Sequence, residues 1–174
     1  MKITVAKDAG YCFGVRDAVN MAYDAADKYS DVYMLGSIVH NEEVVKDLEK
    51  VGAKVVTNLD EVPKESPILF RAHGTVDKLW NKAKSKKMKI VDATCPLVYE
   101  IHNEVKNLSK DGRQIIVIGD HGHDEVVAIA DKVNNAIIIS CPEEARKLRK
   151  MKHTGVVSQS TQDFENVNDI INIL

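Results

Sequence analysis

Cysteine, proline and aromatic residues are scarce here: three cysteines, four prolines and 5% aromatics in 174 residues. Three cysteines with no Cys-x-x-Cys pair argue against both a disulfide framework and a thioredoxin-like redox pair. Free thiols, a nucleophile or metal ligation stay open. No apolar run is long enough to span a bilayer; the longest, such as 115–119 and 136–139, are a fraction of the length needed. Neither sign of charge dominates. There are 15 basic against 14 acidic residues through Cys95, and 9 against 12 after it. Nothing therefore offers a basic face to nucleic acid or to an anionic membrane. The first residues carry a short apolar alternation broken by charge, which is neither a signal h-region nor a transit peptide. A cytoplasmic protein is expected.

What is present is a 44% hydrophobic chain, enough for one ordinary domain or two small ones. Short β-branched runs recur at 2–6, 32–35, 54–56, 67–70, 89–91, 114–118, 136–139 and 155–157. Helical periodicity fills the gaps at 15–29, 42–51, 76–87, 97–108, 125–133, 142–148 and 164–174. This rhythm predicts an α/β protein with mostly parallel sheets flanked by helices. Several runs are continuously apolar, as strands covered on both faces are. A division at Cys95-Pro96 gives two similar α/β lobes, 1–95 and 96–174. The last helix lacks a C-cap glycine and a basic last turn, and reads as cut rather than finished.

The reactive residues fall just after predicted strands and before the next helix. Cys12 follows the first run, His40 the second, His73 the fourth and Cys95 the fifth. His121, His123, Asp124 and Glu125 follow 114–118, and Gln159, Ser160 and Thr161 follow the last. Ligands of open α/β sheets bind outside the carboxyl ends of the strands, where helix N-termini supply backbone N–H groups. Thiols, imidazoles, a carboxylate and hydroxyls would thus face one cleft suited to an anion such as a diphosphate. Local roles coexist with this reading: Pro96 suits the first turn of a helix, and Thr161 is expected to cap the last one. Structural zinc favours closely spaced ligands, whereas Cys12 and Cys95 lie 83 positions apart. That separation suits a site where several lobes meet. An iron–sulfur cluster needs thiolates, and two could hold only part of one.

The motifs AGYCFGVRDAV (9–19), IVHN (38–41), RAHG (71–74), DATCPLV (92–98), GHDE (122–125) and SQST (158–161) together resemble the 4-hydroxy-3-methylbut-2-enyl diphosphate reductase (LytB/IspH) family. The motifs span the chain in family order. The resemblance implies an oxidoreductase of the non-mevalonate isoprenoid pathway. It would remove an allylic hydroxyl as water and yield isopentenyl and dimethylallyl diphosphate. It also implies three similar α/β lobes, a 4Fe–4S cluster held by three cysteines, and an electron donor such as ferredoxin or flavodoxin.

Carried over by motif, Cys12 and Cys95 would be cluster ligands. His40, His73, His123, Ser160 and Thr161 would contact the diphosphate substrate, and Glu125 would be the proton donor. Two positions depart from the family pattern: Ser160 replaces a threonine, and Asp124 replaces a proline and adds a negative charge beside Glu125. The third cluster cysteine and the third lobe are missing from this chain. Cys141 lies outside every motif and reads as a small structural residue. Two further readings stand beside an incomplete fragment. One is a subunit of a split enzyme completed by another chain. The other is a degenerate phosphate- or metal-binding module without redox activity.

Overall fold

A computed structural model describes residues 2–7 and 9–174. Two parallel sheets organise the chain. The first contains β1 (Val32–Leu35), β2 (Ala53–Val56), β3 (Pro67–Phe70) and β4 (Lys89–Asp92) in the order β2-β1-β3-β4. The second contains β5 (Gln114–Ile118), β6 (Ile137–Ile139) and β7 (Thr154–Ser158) in the order β6-β5-β7. Every strand pair is parallel, as expected from the βαβ rhythm. The helices are α1 (Phe13–Lys28), α2 (Glu42–Lys50), α3 (Asp77–Ser85), α4 (Pro96–Lys110), α5 (Asp124–Ala130), α6 (Pro142–Lys147) and α7 (Phe164–Ile173).

Side chains alternate between the faces of a strand, so each continuous apolar run serves two cores. In the first sheet, Met34 and Leu69 pack with Ala18, Ala22 and Ala25 of α1 and Leu48 of α2. Leu35, Ile68 and Phe70 turn the other way, toward Ala83 of α3 and Leu59 of a short 3-10 turn. The second sheet repeats the plan. Ile115 and Val117 face Val105 of α4 with Val126 and Ile129 of α5, and Ile116 and Ile118 face Ala145 of α6 and Ile170 of α7. Each fully buried Val, Leu, Ile, Phe or Met among them contributes about 1.5–3 kcal/mol of transfer free energy.

Both sheets wind outward from an inner strand in the same way. From β1 the chain goes to β2 on one side and then to β3 on the other; from β5 it goes to β6 and then to β7. Each sheet therefore has a topological switch point, between β1 and β3 and between β5 and β7. The crevice beyond the carboxyl ends of such strands is where α/β sheets take ligands.

Two expectations fail. Residues 2–6 form no strand, and Ile3 and Val5 are 72% and 77% exposed. Their alternation suits a half-buried strand, but a strand exists only by pairing, and none of the described strands pairs with them. Thr161 is not the cap of α7. Asp163 takes that place, its carboxylate accepting from the Asn166 N–H at 2.9 Å. The Thr161 hydroxyl is instead occupied as an acceptor for the Gln159 side chain at 2.8 Å.

Candidate functional site

Cys12 and Cys95 occupy the N-cap positions of α1 and α4, and His123 that of α5. His40 immediately precedes Asn41, the cap of α2, whose side-chain oxygen accepts from the N–H groups of Glu43 and Val44. His73 leaves β3 by a turn completed at Gly74. There φ is +86°, and an added Cβ would lie 3.0 Å from the His102 ring. Only glycine meets both demands without strain.

These termini open on one pocket of about 350 Å³. Cys12, Cys95, His40, His73, His123, Glu125, Ser160 and Thr161 all line it. The volume falls at the lower end of the range of small-molecule clefts. Its walls also carry the apolar side chains of Phe13, Val15, Leu97 and Val98. The fourth imidazole of the predicted cluster, His121, lies apart from this lining and bonds to Glu144 at 2.9 Å. Cys141 sits at the start of α6, also outside the lining.

Three imidazoles form the polar wall. Ring centroids of His40 and His73 are 4.2 Å apart, those of His40 and His123 5.5 Å, and those of His73 and His123 5.7 Å. The Glu125 N–H donates to His123 Nδ1 at 3.2 Å. A nitrogen that accepts carries no proton, so the neutral ring keeps its hydrogen on Nε2.

Burial pushes the His73 imidazole down to about 4, with the neighbouring rings of His40 and His123 and the Arg71 guanidinium adding to the shift. His73 Nδ1 is buried without a partner. The His73 ring is therefore neutral at pH 7, and an anion beside it would favour its charged form.

Glu125 is 2% exposed and held at both oxygens. Oε1 accepts from the Ser160 N–H at 2.6 Å and Oε2 from the Ser160 hydroxyl at 3.0 Å. This joins the loop after β5 to the loop after β7 across the switch point. Gln159, 3% exposed, braces the same junction: its side-chain oxygen accepts from the Asp120 N–H at 3.0 Å. The charge of Asp124 is met by the Arg71 guanidinium, which joins the turn after β3 to the first turn of α5. The sequence alone assigns no role to Arg71 or Asn41, although each stands inside one of the motifs. Asn41 also ties α2 to the cysteine loop, donating to the Tyr11 hydroxyl at 3.1 Å.

The donor set fits an iron–sulfur cluster held in part by this chain. The two thiols open on one pocket. A Cβ at Gly14 would come within 2.5 Å of Cys95 Sγ, so the missing side chain lets Cys95 lie against the first turn of the Cys12 helix. Among the described residues, no group of three His, Cys, Asp or Glu converges as a complete metal site.

Acid should weaken the fold through its buried imidazoles. His73 and His102 are both held near 4, chiefly by burial, against about 6.5 in an unfolded chain. Below pH 6.5 the unfolded chain takes up these protons and the native chain does not. Stability is thus complete above that pH and falls as pH drops toward 4. The window between pH 6.5 and 5 precedes most carboxylate protonation. The urea midpoint is expected to fall across it, and a midpoint flat from pH 7 to 5 would contradict the assignment.

The LytB protein family profile matches residues 3–174. A 4-hydroxy-3-methylbut-2-enyl diphosphate reductase of Geobacter metallireducens is 40% identical over 98% of this chain and 61% of its own length. One from Clostridioides difficile is 40% identical over the whole chain and 64% of its own length. Among solved structures, the E-1-hydroxy-2-methyl-but-2-enyl-4-diphosphate reductase of Plasmodium falciparum superposes with a TM-score of 0.91. It is 30% identical, over 97% of this chain and 54% of that one. A second reductase structure, described as the terminal enzyme of the non-mevalonate pathway, superposes with a TM-score of 0.86 at 28% identity. The chain thus spans about three fifths of the length of the curated relatives it matches.

Proposed function

The chain belongs to the LytB protein family, and on that premise we propose that its pocket is the substrate site of a 4-hydroxy-3-methylbut-2-enyl diphosphate reductase. The observation that carries this reading is convergence. Two thiols, three imidazoles and a clamped carboxylate, from four strand–helix junctions and the start of α1, line one cavity. The division into lobes 1–95 and 96–174 belongs to the same proposal, with cluster and substrate held between them and the remaining length of the relatives.

His40, His73 and His123 bind the diphosphate. Imidazole N–H groups donate charge-assisted bonds to phosphate oxygens, and the helix N-termini around them add backbone donors. The apolar side chains of Phe13, Val15, Leu97 and Val98 line the cavity with them and suit the hydrocarbon part of the substrate. Cys12 and Cys95 would hold a 4Fe–4S cluster. When bound, that cluster supplies single electrons and a Lewis-acidic iron. The overall change is balanced: the C–O bond breaks, two electrons and two protons enter, and water leaves with its oxygen derived from the substrate hydroxyl.

Glu125 delivers a proton to the departing oxygen, a role within reach of a carboxylic acid held beside it. Ser160 fixes the rotamer of Glu125, and Thr161, tied to Gln159, completes that wall. A soluble ferredoxin or flavodoxin is the proposed electron source, and the cytoplasm the proposed compartment. No described helix is long and apolar enough to cross a membrane.

Inorganic diphosphate tests the binding half of this reading. On titration, the ring signals of His40, His73 and His123 are expected to shift together and saturably, with that of exposed His153 unchanged. Rings that stay still, or move one without the others, would remove the diphosphate from this pocket.

A further inference from the structure

Away from the histidine pocket, a second cavity of about 330 Å³ opens between α3 and α4, where the two sheets meet. Trp80, Asn81 and Lys84 of α3 line one side, and Tyr99, Asn103 and Lys106 of α4 the other. It shares no lining residue with the histidine pocket. Nothing in the proposed reaction uses it.

Its free polar groups are of one kind. The one carboxylate in the lining, Asp77, is paired with Lys132, whose ammonium also donates to the Thr75 carbonyl. The Tyr99 hydroxyl is bound to Asp92, and the Thr94 hydroxyl to the same carboxylate. Lys84 and Lys106 have no carboxylate within ion-pair reach among the described residues, and Lys84 lies 5.6 Å from the centre of the Trp80 ring. The side-chain amides of Asn81 and Asn103 can still donate. What remains is two cations and two amides facing each other across a cleft.

His102 forms part of the wall. It is 4% exposed, and its Nε2 is buried with no partner, against Gly74. A ligand complementary to this set is small, rich in acceptors and doubly negative.

We infer that the α3–α4 cleft is a second anion site, built for a phosphate or diphosphate group held between Lys84 and Lys106. The inference does not depend on the reductase reading, because none of its residues lines the histidine pocket.

Trp80 is the single tryptophan of the chain and lines this cleft, so its fluorescence reports there. Inorganic phosphate and inorganic diphosphate are titrated separately at constant ionic strength, into the full chain and into a Lys84→Ala/Lys106→Ala double variant. Both lysines are exposed, so folding should survive their truncation. A saturable change is expected, weakened about tenfold or more in the double variant, since each charged contact contributes strongly. The tighter of the two anions identifies the group the cleft takes. A His123→Asn variant should leave the signal intact. A linear response, no response, or an equal response in the double variant overturns the inference.

Discussion

Replacing Glu125 with Gln is expected to lower turnover about a hundredfold or more, the usual weight of a positioned general acid, while substrate affinity stays within about twofold, far less than the loss of one charged hydrogen bond would cause. The setting is this chain joined to the remaining length that its relatives carry. The substitution is a clean one because of how Glu125 is held. A Gln oxygen can still accept from the Ser160 N–H, and its amide can donate to the Ser160 hydroxyl, which rotates to accept. The fold should therefore be unchanged, and only the transferable proton is lost. Glu125→Ala is a different experiment. It removes the acceptor of the Ser160 N–H, a part-buried bond on an exposed residue, and costs about 0.5–1.5 kcal/mol of stability by that route alone. Retained turnover in Glu125→Gln would remove Glu125 from the proton-donor role.

The second large effect separates two jobs of His123. Its Nδ1 caps α5 by accepting from the Glu125 N–H, and its Nε2–H is free for the pocket. His123→Asn keeps a good cap, since asparagine ranks among the best N-cap residues, but removes the ring. Diphosphate affinity should drop about 10- to 100-fold, the equivalent of one charge-assisted hydrogen bond, with thermal stability nearly unchanged. His123→Ala should lose the same affinity and in addition about 0.5–2 kcal/mol of stability from the missing cap. Isothermal titration with diphosphate, run in a Lys84→Ala/Lys106→Ala background so that only the histidine pocket reports, and thermal denaturation of both variants check this. If Asn and Ala destabilise equally, the cap is unimportant; if Asn binds like the parent, His123 does not touch the anion.

Much of the fold and of the site is legible in the amino-acid order. The strands of both sheets announce themselves as β-branched runs between turn residues. Except for Cys12, which no strand precedes, the site residues announce themselves by standing where a strand hands over to a helix. The failures have one cause, which is that pairing is not local. Residues 2–6 alternate like a strand, yet alternation says nothing about whether an edge is within reach. Thr161 and Asp163 are both good caps by type, and only the point at which α7 starts, Phe164, decides between them. Arg71 and Asp124 are 53 positions apart, so their ion pair across the two sheets leaves no trace in spacing. For the same reason, the charge of Asp124 reads in sequence as a neighbour of Glu125 and is in fact matched by Arg71. The common winding order of the two sheets is hidden too, because it is a property of where strands lie and not of what they are made of.

The division of labour in the pocket follows from chain topology. Residues after β1 and β3 supply His40 and His73 at one switch point; residues after β5 and β7 supply His123, Glu125 and Ser160 at the other. Cys12 and Cys95 begin the helices that flank the cavity.

Anaerobic reconstitution with iron and sulfide tests the central claim most directly, with iron counted per chain and the visible charge-transfer absorbance followed. The parent chain is expected to take up iron and colour. Cys12→Ser and Cys95→Ser should each lose most of both, and Cys141→Ser should behave like the parent. Iron uptake unaffected by either of the first two substitutions, or abolished by the third, would contradict the assignment of Cys12 and Cys95 as the thiols that hold the cluster.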